Sequence, residues 1–138
     1  MVTVKRFLAR LLVLIGVFAA GAGSPARGGT LRNVSVGEPL PEFRMTALDG
    51  SSIESKSMLG SVVVMVCLSA EQRRSELASL ESMQIARQLG DFPVRLVHVT
   101  ADVARRDYFE RFRADRQIDA PLALDSDHAF FSQLGLIV

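Results

Sequence analysis

The stretch that most constrains this chain is Ser61–Leu80. Val62-Val63-Val64-Met65-Val66-Cys67-Leu68 is a continuous apolar block rich in β-branched residues, and polar residues follow it at once. Such a block predicts a strand buried on both faces, in the middle of a sheet covered by helices. Ser69-Ala70-Glu71-Gln72 fits a capping box, in which the Ser69 hydroxyl accepts the Gln72 backbone N–H and Gln72 reaches back to Ser69. The first helix is therefore expected over Glu71–Gly90, with Leu77, Leu80, Met83, Ile85 and Leu89 on its apolar face. The tip of a central strand meeting the positive end of a helix is where α/β folds place their chemistry. At this tip stand a carboxylate, an amide and guanidinium groups, with no thiol.

Downstream, strand and helix signals alternate. Val94–Thr100 reads as a second strand, with His98 at a polar edge, and Asp102 as the cap of a helix running to about Gln117. Ala104, Tyr108 and Phe112 would form that helix's buried stripe, and Asp107 and Arg111 a solvent-side pair. Pro121–Leu124 is a short strand, and Asp125 or Ser126 caps a last helix carrying Phe130, Phe131 and Leu134. Gly135 ends that helix, and Leu136-Ile137-Val138 begins another strand. Upstream, Pro39 and Pro41 argue against a helix. Phe43, Met45 and Ala47 alternate as a half-buried strand, and Leu48-Asp49-Gly50-Ser51 is a hairpin turn leading to a return strand at Ile53. This alternation implies right-handed crossovers and a largely parallel sheet.

The N-terminus reads differently. Lys5, Arg6 and Arg10 precede the apolar run Leu11–Ala20, and Ala20-Gly21-Ala22 is a small-residue cleavage pattern. Residues 1–23 are thus expected to be a secretory signal peptide, or an uncleaved N-terminal anchor, and 24–35 a linker. The rest of the chain, 36–138, is one expected domain lying outside the cytoplasm, in the periplasm or an equivalent extracytoplasmic space.

Composition narrows the function. Of 138 residues, 49% are hydrophobic and 22% charged, enough for a core. The formal charge of +1 includes the three basic residues of the leader, so the remainder is slightly acidic. That argues against nucleic acid held by phosphate contacts. The single cysteine, Cys67, excludes an internal disulfide, a two-cysteine redox motif and a thiolate metal cluster. His98 and His128 lack companions at metal-ligand spacing. No metal and no cofactor are expected.

Several segments together resemble the redoxin (AhpC/TSA, peroxiredoxin-like) branch of the thioredoxin-like superfamily. They are Val36-Gly37-Glu38-Pro39-Leu40-Pro41-Glu42-Phe43, Leu48-Asp49-Gly50, Leu59-Gly60-Ser61-Val62-Val63-Val64, Arg74–Leu80, Leu124-Asp125-Ser126-Asp127 and Leu134-Gly135-Leu136. The resemblance implies an α/β thioredoxin-like sandwich, a central mixed sheet flanked by helices, here lacking the family's C-terminal hairpin and helix. It implies antioxidant oxidoreductase activity on thiols, disulfides or peroxides. It also places a redox cysteine near the start of the first helix, where this chain has Ser69, Ala70, Glu71, Gln72 and Arg73. Two readings follow. In one the site is redox-silent, Cys67 is a small buried hydrophobe, and the domain serves as a binding or scaffold module for a protein partner in the cell envelope. In the other Cys67 is the nucleophile of a one-cysteine peroxidase. Neither invokes nucleic acid, nor membrane beyond the N-terminal anchor.

Overall fold

The computed structural model describes residues 32–35 and 37–136. The expected signal segment 1–23 and most of the linker lie outside the described residues, as does most of the expected last strand. The elements in chain order are β1 (Arg44–Ala47), β2 (Ser52–Glu54), β3 (Val62–Cys67), α1 (Arg73–Leu89), β4 (Val94–Thr100), α2 (Arg106–Arg116), β5 (Leu122–Leu124) and α3 (Ala129–Leu134). One turn of 3-10 helix at Ser55–Met58 follows β2, and another at Val103–Arg105 leads into α2.

The five strands form one mixed sheet in the order β2-β1-β5-β4-β3. β3 pairs parallel with β4, setting Val62 beside Val94 and Cys67 beside Val99. β4 pairs parallel with β5. β1 runs antiparallel to both β5 and β2. The β1–β2 hairpin turns at Asp49-Gly50, where Gly50 takes φ +87°, a conformation only glycine adopts without strain. Asp49 braces this turn by accepting the Ser51 N–H at 2.9 Å.

Alternation along the strands divides the core between two faces. On one, Val97 and Val99 pack with Phe43, Met45, Phe130, Phe131 and Leu134, so α3 and the hairpin cover it. On the other, Leu122 packs with Phe109 and Leu68, and Leu96 lies against Met83, Ile118 and Ala120, so α1 and α2 cover it.

The structure corrects several expectations. Among the described residues β3 is an edge strand, and no residue in it is fully buried. α1 starts at Arg73, without a side-chain cap. Its inner face holds Ser79 and Met83, while Leu77 and Ile85 are exposed. In α2 it is Phe109 that is buried, between half-buried Tyr108 and Phe112, and Ala104 is exposed. The Asp107–Arg111 pair stands where expected, at 3.2 Å.

Candidate functional site

The parallel strands β3, β4 and β5 end on one side of the sheet, and each end carries a polar or reactive group. β3 ends at Cys67, β4 at Thr100, and β5 is followed by Asp125. The segment joining β3 to α1 passes over these ends. It is the place where the resemblance puts a redox cysteine.

That segment is held by partners far away in sequence. The Asp102 carboxylate accepts the Ala70 N–H at 2.7 Å. The Ser75 hydroxyl accepts the Ser69 N–H at 3.0 Å. Glu71 takes φ +59°, a left-handed conformation that non-glycine residues rarely adopt. Its carboxylate meets the Arg105 guanidinium through both nitrogens. One turn into α1, Glu76 accepts the Tyr108 hydroxyl at 2.8 Å. The loop is thus fastened to the start of α2 by three polar links, from Asp102, Arg105 and Tyr108. The capping box does not form: Gln72 is the N-cap and makes no side-chain cap bond. The partner of Glu71 is Arg105, 34 residues downstream, and local periodicity cannot reveal such a contact. Asp102 was expected to cap a helix; it precedes the 3-10 turn without a side-chain cap bond, and its carboxylate serves the Ala70 N–H instead.

Cys67 stands three residues before Ala70 and is exposed, not buried as expected. The cause is the open side of β3, which carries no further strand among the described residues. Exposure has not activated the thiol. The apolar protein behind it pushes the pKa up, and the nearby Asp125 carboxylate adds to the rise. A thiol in that condition is protonated at neutral pH and is a poor nucleophile. The helix start that could stabilise a thiolate lies beyond Ser69–Gln72, and those positions hold no sulfur.

Asp125 is buried, with 2% of its surface exposed. Its two carboxylate oxygens accept the Phe130 and Phe131 N–H groups at 3.0 and 2.9 Å, closing the start of α3. The position of Asp125 in the sequence predicts this capping role; Ser126, the alternative, is exposed. His128 is exposed and precedes α3.

His98 departs most from expectation. It is not at a polar edge but fully buried, beneath α1. Its Nε2 lies 3.1 Å from the Ser82 hydroxyl, and Ser82 also donates to the Ser79 carbonyl at 2.8 Å. Among the described residues Nδ1 of His98 and the Ser79 hydroxyl have no partner. Burial lowers the His98 pKa to about 4, and the Arg113 guanidinium contributes to the shift. The imidazole is therefore neutral at physiological pH. Among the described residues no three His, Cys, Asp or Glu side chains are grouped to hold a metal ion. No helix there is long and apolar enough to cross a membrane.

The geometry defines a thioredoxin-like fold, and solved structures share it. The thioredoxin domain of a thiol-disulfide oxidoreductase from Bacteroides vulgatus superposes with a TM-score of 0.66 at 13% identity, covering 76% of each chain. Peroxidoxin BcpB from Mycobacterium tuberculosis gives 0.62 at 18% identity, over 71% of this chain and 64% of that one. Peroxiredoxin Q from Xanthomonas campestris gives 0.61 at 15% identity, over 70% of this chain. This chain spans about 60% of the peroxiredoxin Q length. The sequence matches no protein-family model and no curated protein.

Proposed function

We propose that this chain is an exported thioredoxin-like module that binds a protein partner in the cell envelope and has no thiol chemistry of its own. One observation carries the reading. The loop between β3 and α1 holds Ala70, Glu71 and Gln72 where the fold's redox relatives are expected to hold sulfur, and Asp102 and Arg105 fasten it in place. A carboxylate at that position gains from the same helix-end field as a thiolate, but it cannot exchange with a disulfide or reduce a peroxide. Support for export comes from the basic, apolar and small-residue pattern of residues 1–23.

A second reading rests on the exposure of Cys67: a one-cysteine peroxidase in which an external thiol regenerates the enzyme. Such an enzyme needs a thiolate at neutral pH, and the surroundings of Cys67 oppose ionisation. The alkylation rate of native Cys67 as a function of pH separates the two. The binding-module reading predicts slow alkylation at pH 7, rising only above the ordinary thiol pKa of about 8.5. Fast alkylation at pH 7 favours the peroxidase.

A further inference from the structure

His98 lies fully buried between the sheet and α1, and its protonation state follows from the hydrogens around it. The Ser82 hydroxyl has one hydrogen, which goes to the Ser79 carbonyl at 2.8 Å. The Ser82 oxygen, 3.1 Å from His98 Nε2, therefore accepts, and Nε2 carries the proton of the neutral ring. Nδ1 is left as a bare lone pair, without a partner among the described residues. A second proton can enter the ring only there. It would place a positive charge in a buried site, and among the described residues no anion faces that site. α1 presents Ser82, and Ser79 one turn before it; its Glu76 is tied to the Tyr108 hydroxyl and its Glu81 is exposed. β3 sets Val66 beside His98, and β5 sets Leu122 there. From α2 comes the Arg113 guanidinium, of the same sign as the charge that would form. Cys67 and Asp125 lie toward α3, across the sheet.

α1 is also the element above His98 that is least tied to the core. Its buried residues are Ser79 and Met83. With Leu80, Met83 packs on Ile118 and Ala120. Among the described residues, the cluster around Phe43 and Phe130 and the cluster of Leu68, Phe109 and Leu122 contain no residue of α1. We infer that His98 is an acid-operated latch for α1: protonation of its ring releases α1 while the sheet, α2 and α3 stay folded. The first turn of α1 holds the β3–α1 loop, since Ser75 accepts the Ser69 N–H and Glu76 accepts the Tyr108 hydroxyl, so release of α1 frees the loop as well. The inference concerns α1 and this loop, and it is independent of the proposed binding function. Linkage sets the size of the effect. Released, His98 titrates near its ordinary value of 6.5; packed, burial and then Arg113 hold it at about 4. The opened population should therefore rise about twentyfold as pH falls from 7 to 5.

Amide hydrogen exchange of the full chain between pH 7 and pH 5, corrected for the intrinsic pH dependence of exchange, tests it. The α1 amides from Leu77 to Leu89 should lose protection about twentyfold over this range. The Phe130 and Phe131 amides of α3, which Asp125 accepts in the core, should change by less than about threefold. In His98→Met and His98→Gln, which cannot take up the proton, α1 protection should stay level; the glutamine amide can still donate to Ser82. A measurement on the wild-type chain needs no variant: the His98 ring-nitrogen shifts should show the Nε2–H form at pH 7. Protection of α1 that does not change with pH, a loss shared equally by α3, a loss that persists in both variants, or a ring carrying its proton on Nδ1 would each overturn the assignment.

Discussion

The two halves of the sheet are equally apolar in sequence and opposite in environment. On the β5 side, Val99 and Ala123 are fully buried, and the Phe43 and Phe130 rings meet edge-on at 4.9 Å. On the β3 side, valines of the same character stand partly in water. A strand's composition reports what it can bury. Its place in the sheet order decides what it does bury, and that order comes from long-range pairing. The polar groups divide in the same way. Asp125 and His98 are sealed inside the packed half, whereas Glu71 and Arg105 meet at the surface. Substitutions should therefore cost most in the first set and least in the second.

The largest effect is expected at Asp125. Asp125→Ala leaves two helix-start N–H groups without acceptors in a buried place and should cost ~3 kcal/mol in denaturant unfolding. Asp125→Asn keeps an acceptor oxygen and should cost less. A loss below about 1 kcal/mol for the alanine variant would show that the packed half tolerates orphaned groups.

Next comes acid. The folded His98 pKa, about 4, lies below its ordinary value of 6.5, so the unfolded chain takes up a proton first as pH falls. The stability this histidine contributes is complete above pH 6.5. It declines as pH drops toward 4, by ~3 kcal/mol in all. Equilibrium unfolding between these values checks it, and His98→Met should flatten that part of the profile. An unchanged slope in the variant would place the acid sensitivity elsewhere.

Asp102→Ala removes the acceptor of the Ala70 N–H and should cost ~1 kcal/mol, with faster exchange of the Ala70 amide. The smallest change is expected for Glu71→Gly. Glycine relieves the left-handed backbone by ~1 kcal/mol, and the exposed pair with Arg105 that it removes is worth about as much, so the net effect should be within ~0.5 kcal/mol. A large loss there would mean the surface half is more rigid than its exposure indicates.

Much of this fold was legible in the sequence because the signals were local. The Phe43–Ala47 alternation, the Asp49-Gly50 turn, the Gly90 and Gly135 helix ends and the Asp125 cap each depend on near neighbours. Edge position, the burial of His98, and the reach of Asp102 and Arg105 to the β3–α1 loop depend on residues 16 to 34 positions away. No period in the chain encodes those distances. The candidate site was legible in what it lacks, since the absence of sulfur between Ser69 and Arg73 is a fact of sequence. That Cys67 is exposed yet disfavoured as a thiolate needed the structure.

Turnover by the purified full chain tests the central claim most directly. Peroxide consumption and disulfide reduction, each with an external thiol, should match those of Cys67→Ser at every pH from 6 to 8, because the reactive position holds no sulfur and Cys67 remains protonated in this range. Thiol-dependent turnover that disappears in Cys67→Ser would contradict it.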